Sequence, residues 1–168
     1  MSYANYEDYV TFYSHGMDRA EFNRLAYDAS VLVDSYVTTV DGVNKLRYFF
    51  PTDEYDVQAV KRCVCALISS LHQLEEIESA SSGIIVREDG TVTGRSVTSI
   101  SSGSESMSFS AVGSGASMLN AAAKSEAARN ELIASQVFKY LRGHKDANGI
   151  NLLYVGVYPN VQKDNNVV

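Results

Sequence analysis

The sequence predicts a mainly α fold: an antiparallel bundle of three main helices with a short N-terminal helix, an inserted β-hairpin and serine-rich extended arm, and an extended C-terminal segment. Three observations lead there. Apolar residues recur at steps of three and four through about 18–37, 54–79 and 125–142, which puts them on one face of a helix in each stretch. Turn and breaker residues separate those stretches, at Asp41-Gly42, Pro51, Gly83 and Gly143. Between the second and third stretches the period falls to two, the spacing of a strand. The layout expected is a single domain over 1–168, with a helical core at about 5–79 and 117–143, an arm at about 84–112 and a tail at about 149–168.

In chain order, Tyr3, Tyr6, Tyr9, Val10 and Tyr13 give a short helix an aromatic face, stopped at Ser14-His15-Gly16. Asp18 is an N-cap with Glu21 three positions on, close to a capping box. The helix it opens carries Phe22, Leu25, Ala26, Ala29, Leu32, Val33 and Tyr36 as one stripe. After the Asp41-Gly42 turn and Pro51, Thr52 or Asp53 caps the next helix. There Val57, Val60, Val64, Leu67, Leu71 and Leu74 form a narrow seam of coiled-coil type, suited to antiparallel packing on the preceding helix. His72 falls beside the seam, a polar residue at the core edge.

Ile84 to Val86, Glu88-Asp89-Gly90 and Thr91 to Thr93 read as a hairpin, because Asp-Gly suits a type I′ turn. From Ser104 to Ala111, Glu105, Met107, Phe109 and Ala111 alternate with serines. Alone, a serine strand has too little apolar surface to order itself. Paired along a neighbouring subunit it gains backbone hydrogen bonds and buries Met107 and Phe109. Val97 and Ile100 join them as candidate subunit-interface residues; a hairpin packed within its own subunit and a plain linker are the alternatives. A last helix starts near Ser117 or Ser125, with Ala127, Ile133, Ala134, Val137, Phe138 and Leu141 on its inner face, Leu132 off it, and Gly143 as its stop. LLYVGVYP then reads as an apolar extended segment, followed by a polar tail.

Composition narrows the chemistry. With 45% hydrophobic and 20% charged residues the chain belongs among globular proteins, and a net charge of −6 disfavours a dedicated nucleic-acid binder. No apolar run reaches the roughly 20 residues that span a bilayer, and the N-terminus lacks the basic-then-apolar order of a signal peptide, so a soluble, intracellular product is expected. Cys63 and Cys65 point about 200° apart on a helix, which excludes a mutual disulfide and leaves reduced structural thiols. Val112 to Met118, VGSGASM, departs from the dinucleotide fingerprint by placing Met118 at the third glycine position; a flexible hinge before a helix accounts for it. His15, His72 and His144 lack metal-ligand spacing, and no G-x-S-x-G or G-x-x-x-x-G-K-[ST] run exists. The adjacent carboxylates Glu75-Glu76 and Glu88-Asp89 read as solvated. No catalytic, cofactor or metal residue is expected.

Several stretches, taken in order, resemble the head–tail connector family of long-tailed bacteriophages, the adaptor or head-completion proteins. YEDYVTFYSHG and MDRAEFNRLAYDASVLVDSYV look like its opening helices, and VQAVKRCVCALISSL like its second long helix. GTVTGRSVTSISSGSESMSFS, ELIASQVFKYLRGH and GINLLYVGV are similar to its later segments, with Val155 where the family often has arginine. The resemblance spans nearly the whole chain. It implies a non-enzymatic virion neck protein made in the host cytoplasm, forming a homo-oligomeric ring of about a dozen copies beneath the portal. Such a ring extends the channel through which phage DNA passes without specific binding, and presents a platform for a tail-side head-closure (stopper) protein, with no membrane involved. In that family the C-terminal region lies toward the portal, which makes Leu152, Leu153, Tyr154, Val157 and Tyr158 candidate portal contacts. Two other classes compete: a small nucleotide-binding enzyme using the GSGAS run, and a capsid-decoration or host-surface binding protein.

Overall fold

The computed structural model describes residues 2–13, 17–82, 84–86, 92–94, 101–102, 105–106 and 114–159. Among these the chain is mainly helical, with helices α1 (Tyr6–Phe12), α2 (Arg19–Val37), α3 (Lys45–Tyr48), α4 (Glu54–Ser82), α5 (Ser114–Ala122) and α6 (Glu126–Leu141). The chain divides into two compact units, one of Met1–Ile68 with Ile133–Val168 and one of Ser69–Leu132.

In the first unit, α1 begins three residues later than its aromatic spacing suggests. Asn5 caps it in a full capping box: Asp8 N donates to Asn5 Oδ1 at 2.7 Å, and Asn5 N donates to Asp8 Oδ2 at 3.0 Å. The helix ends at Phe12, with Tyr13 extended, before the expected stop; Gly16 lies outside the described residues. Tyr3, left outside the helix, ties the N-terminus to α2 instead. Its hydroxyl donates to Asp34 Oδ1 at 2.5 Å, and Arg47 grips the other carboxylate oxygen at 3.0 and 2.7 Å. Asp18 caps α2 by accepting from Glu21 N at 2.9 Å. Phe22, Leu25, Ala26, Ala29 and Val33 are buried as the stripe requires, joined by Val37, Ser30 and Asp34.

The Asp41-Gly42 turn closes as expected. Gly42 takes φ 84°, a left-handed conformation open to glycine, and donates to Thr39 O at 2.9 Å. Asn44 then caps the short helix α3, which the periodicity did not reveal. At α4 the cap is Asp53, not Thr52: its Oδ1 accepts from Tyr55 N at 2.9 Å. The seam expected of α4 is buried at Val60, Val64, Leu67 and Leu74, but it is not narrow. Every residue from Cys63 to Ile68 is buried, while Val57 is only half-buried, so this stretch is apolar all round. α1 supplies one covering face, through Lys61 Nζ donating to Asp8 Oδ1 at 3.0 Å and Arg62 stacking 5.0 Å over the Phe12 ring. Both cysteines are free thiols inside this stretch, and burial pushes each up to about 12. From α6 this unit buries Ile133, Val137 and Leu141.

The second unit has its own small core. Leu74, Ala122 and Leu132 cluster there with Leu119 and Ala123 against them, and Arg129 pairs with Glu78. This corrects two expectations. Leu132, placed off the inner face of its helix, is buried by this cluster, whereas Ala127 and Phe138, placed on it, are exposed. Of the two starts expected for the last helix the later holds, α6 running Glu126–Leu141 just after Ser125; α5 precedes it as a separate helix, and Ser114 to Met118 are helical, so that part of the Gly-Ser run is not a hinge. Between α4 and α5, Ile84–Val86 pairs antiparallel with Val92–Gly94, and Ser101–Ser102 with Glu105–Ser106. The Asp89-Gly90 turn lies outside the described residues.

Candidate docking surface

The segment after α6 is where an unusual side chain is put to use. Gly143, at φ 88°, ends α6, and the chain reverses through a loop closed by the Lys145–Asn151 bridge. Asp146 organises that loop from within. Its Oδ1 accepts from Asn148 N and Ile150 N, both at 2.9 Å, and its Oδ2 accepts from the Tyr158 hydroxyl at 2.7 Å. Tyr158 in turn stacks on Phe49, with centroids 4.9 Å apart, and burial pushes its hydroxyl up to about 12. Leu152 plugs into the fold with no exposed surface.

Lys45 fastens the chain beyond Leu152. The side chain is fully buried, and its Nζ donates to the Tyr154 carbonyl at 2.5 Å across 109 residues of sequence. Burial lowers its ammonium below the ordinary lysine range, against the opposing pull of Asp146 and Asp41. Val40 N donates to Val155 O at 3.0 Å, and Tyr158 N donates to the Asp41 carboxylate at 3.1 Å. The Tyr154 ring folds back over Gly156, where any Cβ would collide with it. With its backbone held this way, the segment leaves Val155 58% and Val157 64% exposed beside Val40 at 75%, with Tyr154 42% exposed. These are large apolar groups on an ordered backbone, the makeup of a protein-docking patch.

Of the residues singled out in the sequence, Tyr154 and Val157 lie on this patch. Leu153 and Tyr158 are half-buried, and Leu152 is internal and offers no face to a partner. Val97, Ile100, Met107 and Phe109 lie outside the described residues. Sequence reasoning passed over Val40, Lys45 and Asp146, and read Asp41 as a turn residue without its contact to Tyr158. Nothing local marks Val40 and Lys45, because their partners are a hundred residues away.

Two clefts lie near the start of α4 and the end of α6. One, of about 900 Å³, is lined by Phe138, Lys139, Arg142, Asn151 and Leu153. The other, of about 770 Å³, is lined by Asp53, Glu54, Tyr55, Arg62, Lys139 and His144. His144 Nδ1 lies 2.7 Å from Asp56 Oδ1, under the Tyr55 ring at 4.9 Å. Neither the clefts nor any other part of the described residues groups three metal-ligating side chains. His72 is half-buried, 3.7 Å from Glu76 on the next turn. No described helix is long and apolar enough to cross a membrane. No family model, curated protein or solved structure matches the chain.

Proposed function

We propose that this chain is a structural adaptor of the phage neck, without enzymatic activity: a ring-forming subunit that docks on the portal, extends the DNA channel and receives a tail-side head-closure protein. The sequence resemblance motivates the reading, and one observation carries it at the level of surface. The braced segment Tyr154 to Val157, with Val40 beside it, presents apolar side chains to solvent on a backbone that is already ordered, which lowers the entropic cost of docking. On this reading the long helices pack as an antiparallel bundle. The stretch 84–112 is an inserted hairpin and arm, with Val97, Ile100, Met107 and Phe109 meeting the next subunit. Leu153 and Tyr158 support the portal contact from below.

The test changes only exposed side chains. Truncation after Gly149 would remove the buried Leu152 and the carbonyl that Lys45 holds, so loss of attachment would merely report unfolding. Val155→Asp with Val157→Asp leaves those contacts in place. Wild-type protein incubated with purified portal is expected to form decorated rings in electron micrographs. The double variant, with unchanged circular dichroism and melting temperature, is expected not to bind. Equal decoration by both, or none by the wild type, refutes the reading.

A further inference from the structure

We infer that the start of α4 and the end of α6 form one self-complementary face through which two copies of this chain pair. The first ground is how the cations of this unit are partnered. Arg19, Arg24, Arg47 and Lys61 each lie against a carboxylate, and Lys45 holds a carbonyl. Arg62, Lys139, Arg142 and Lys145 meet no carboxylate among the described residues. Three of these four line the two clefts: Arg62 and Lys139 one, Lys139 and Arg142 the other. Arg62 lies over the Phe12 ring and Lys139 over the Tyr140 ring, so neither charge is neutralised; on a chain of net charge −6, cations gathered in one place without a carboxylate mark where negative charge is to arrive.

The second ground is that the chain exposes a fitting counterpart. Thr52 to Tyr55 are four consecutive exposed residues, with Tyr55 76% exposed, and neither Asp53 nor Glu54 meets a cation among the described residues. An acidic tip carrying an aromatic anchor matches a cleft with Lys139 and Arg142 at its rim and Phe138 and Leu153 as its apolar wall. A polyphosphate is a poorer occupant, because it has no apolar group to set against Phe138 and Leu153, whereas the tip brings Tyr55. Because Lys139 borders both clefts, tip and cation pair adjoin on one face. A two-fold rotation then brings each tip to the other copy's cleft, so both contacts form at once. This face uses none of Val40, Val155 and Val157, and the inference does not rest on the adaptor reading.

Sedimentation equilibrium of the full chain tests it. A dimer is expected at low ionic strength, weakening as salt screens the exposed charges. Lys139→Glu with Arg142→Glu, and separately Thr52→Lys with Glu54→Lys, should each weaken pairing at least about tenfold while leaving circular dichroism and melting temperature unchanged. Asp53 is kept because it caps α4. An equimolar mixture of the two variants should recover the dimer, since each acidic half then meets a basic one. A wild-type chain that stays monomeric, a reversed variant that still pairs, or a mixture that does not pair overturns the inference. So does a larger assembly abolished by the same variants, which would mean a head-to-tail contact. Duplex DNA bound by a monomer and lost on reversing Lys139 and Arg142 would make the cleft a phosphate site, and the inference would fall.

Discussion

Lys45 shows how much can hang on one buried polar group. Its ammonium is out of water and tolerable only because the Tyr154 carbonyl takes its proton-bearing face and two carboxylates lie near. Lys45→Ala is expected to cost about 3 kcal/mol, combining a cavity with an orphaned carbonyl, and Lys45→Met, which keeps the volume, nearer about 1 kcal/mol; urea denaturation measures both. The buried thiols set the alkaline limit. An unfolded cysteine loses its proton near 9.0, whereas Cys63 and Cys65 keep theirs up to about 12. Across that window the unfolded chain binds fewer protons, so stability that is complete below pH 9 drains away toward 12, and Tyr158 adds to the loss from 10.0 upward. Lys45 acts the other way: its folded value is depressed, so just below 10.5 the unfolded chain binds more protons and this contribution rises with pH. Burial raises the Tyr3 and Tyr13 hydroxyls as well, so five groups against one predict a net fall in melting temperature from pH 9. Cys63→Ala with Cys65→Ala should flatten that slope while lowering the melting temperature at neutral pH.

Elements whose determinants are local were legible in the sequence. Asp18 and Asp53 as caps, the stripe of α2, the Gly42 turn and the Gly143 stop all depend on residues within a few positions of one another. What could not be read depends on distant neighbours. Four residues of α3 are too few to show a period, and its lysine points inward only because residue 154 returns to meet it. The seam of α4 widened to the whole circumference because α1 and the rest of its unit cover Cys63 to Ile68. Leu132 reads as an outward residue of a long helix until Leu74 and Ala122 supply the other half of its contact. Leu132→Ala should therefore cost about 3 kcal/mol, whereas Ala127→Ser, on the supposed inner face, should change stability by less than about 0.5 kcal/mol. Equal effects in thermal melts would show that the cluster around Leu132 carries little. Of the exposed patch, only the C-terminal half was visible in the sequence, as an apolar extended segment; Val40 carried no such signal.

At the scale of the molecule, the first unit is made of two separated stretches and the second of one continuous stretch between them. The order in which a ribosome releases the chain then matters. Everything in the second unit has emerged by Leu132, so its small cluster can close while synthesis continues. The first unit cannot. Until residue 154 appears, Lys45 has no carbonyl to hold, Asp34 and Arg47 brace an incomplete fold, and Leu152 has not filled its site. A nascent chain stopped after Gly149 should accordingly lack the near-ultraviolet dichroism of the full protein and yield to protease between Met1 and Ile68. Native resistance in that fragment would show the early stretch to be self-sufficient. The lysine thus works as a late lock: a charge laid down at residue 45 stays unsatisfied until residue 154 has been made, which keeps the exposed Val155–Val157 patch from taking shape before then.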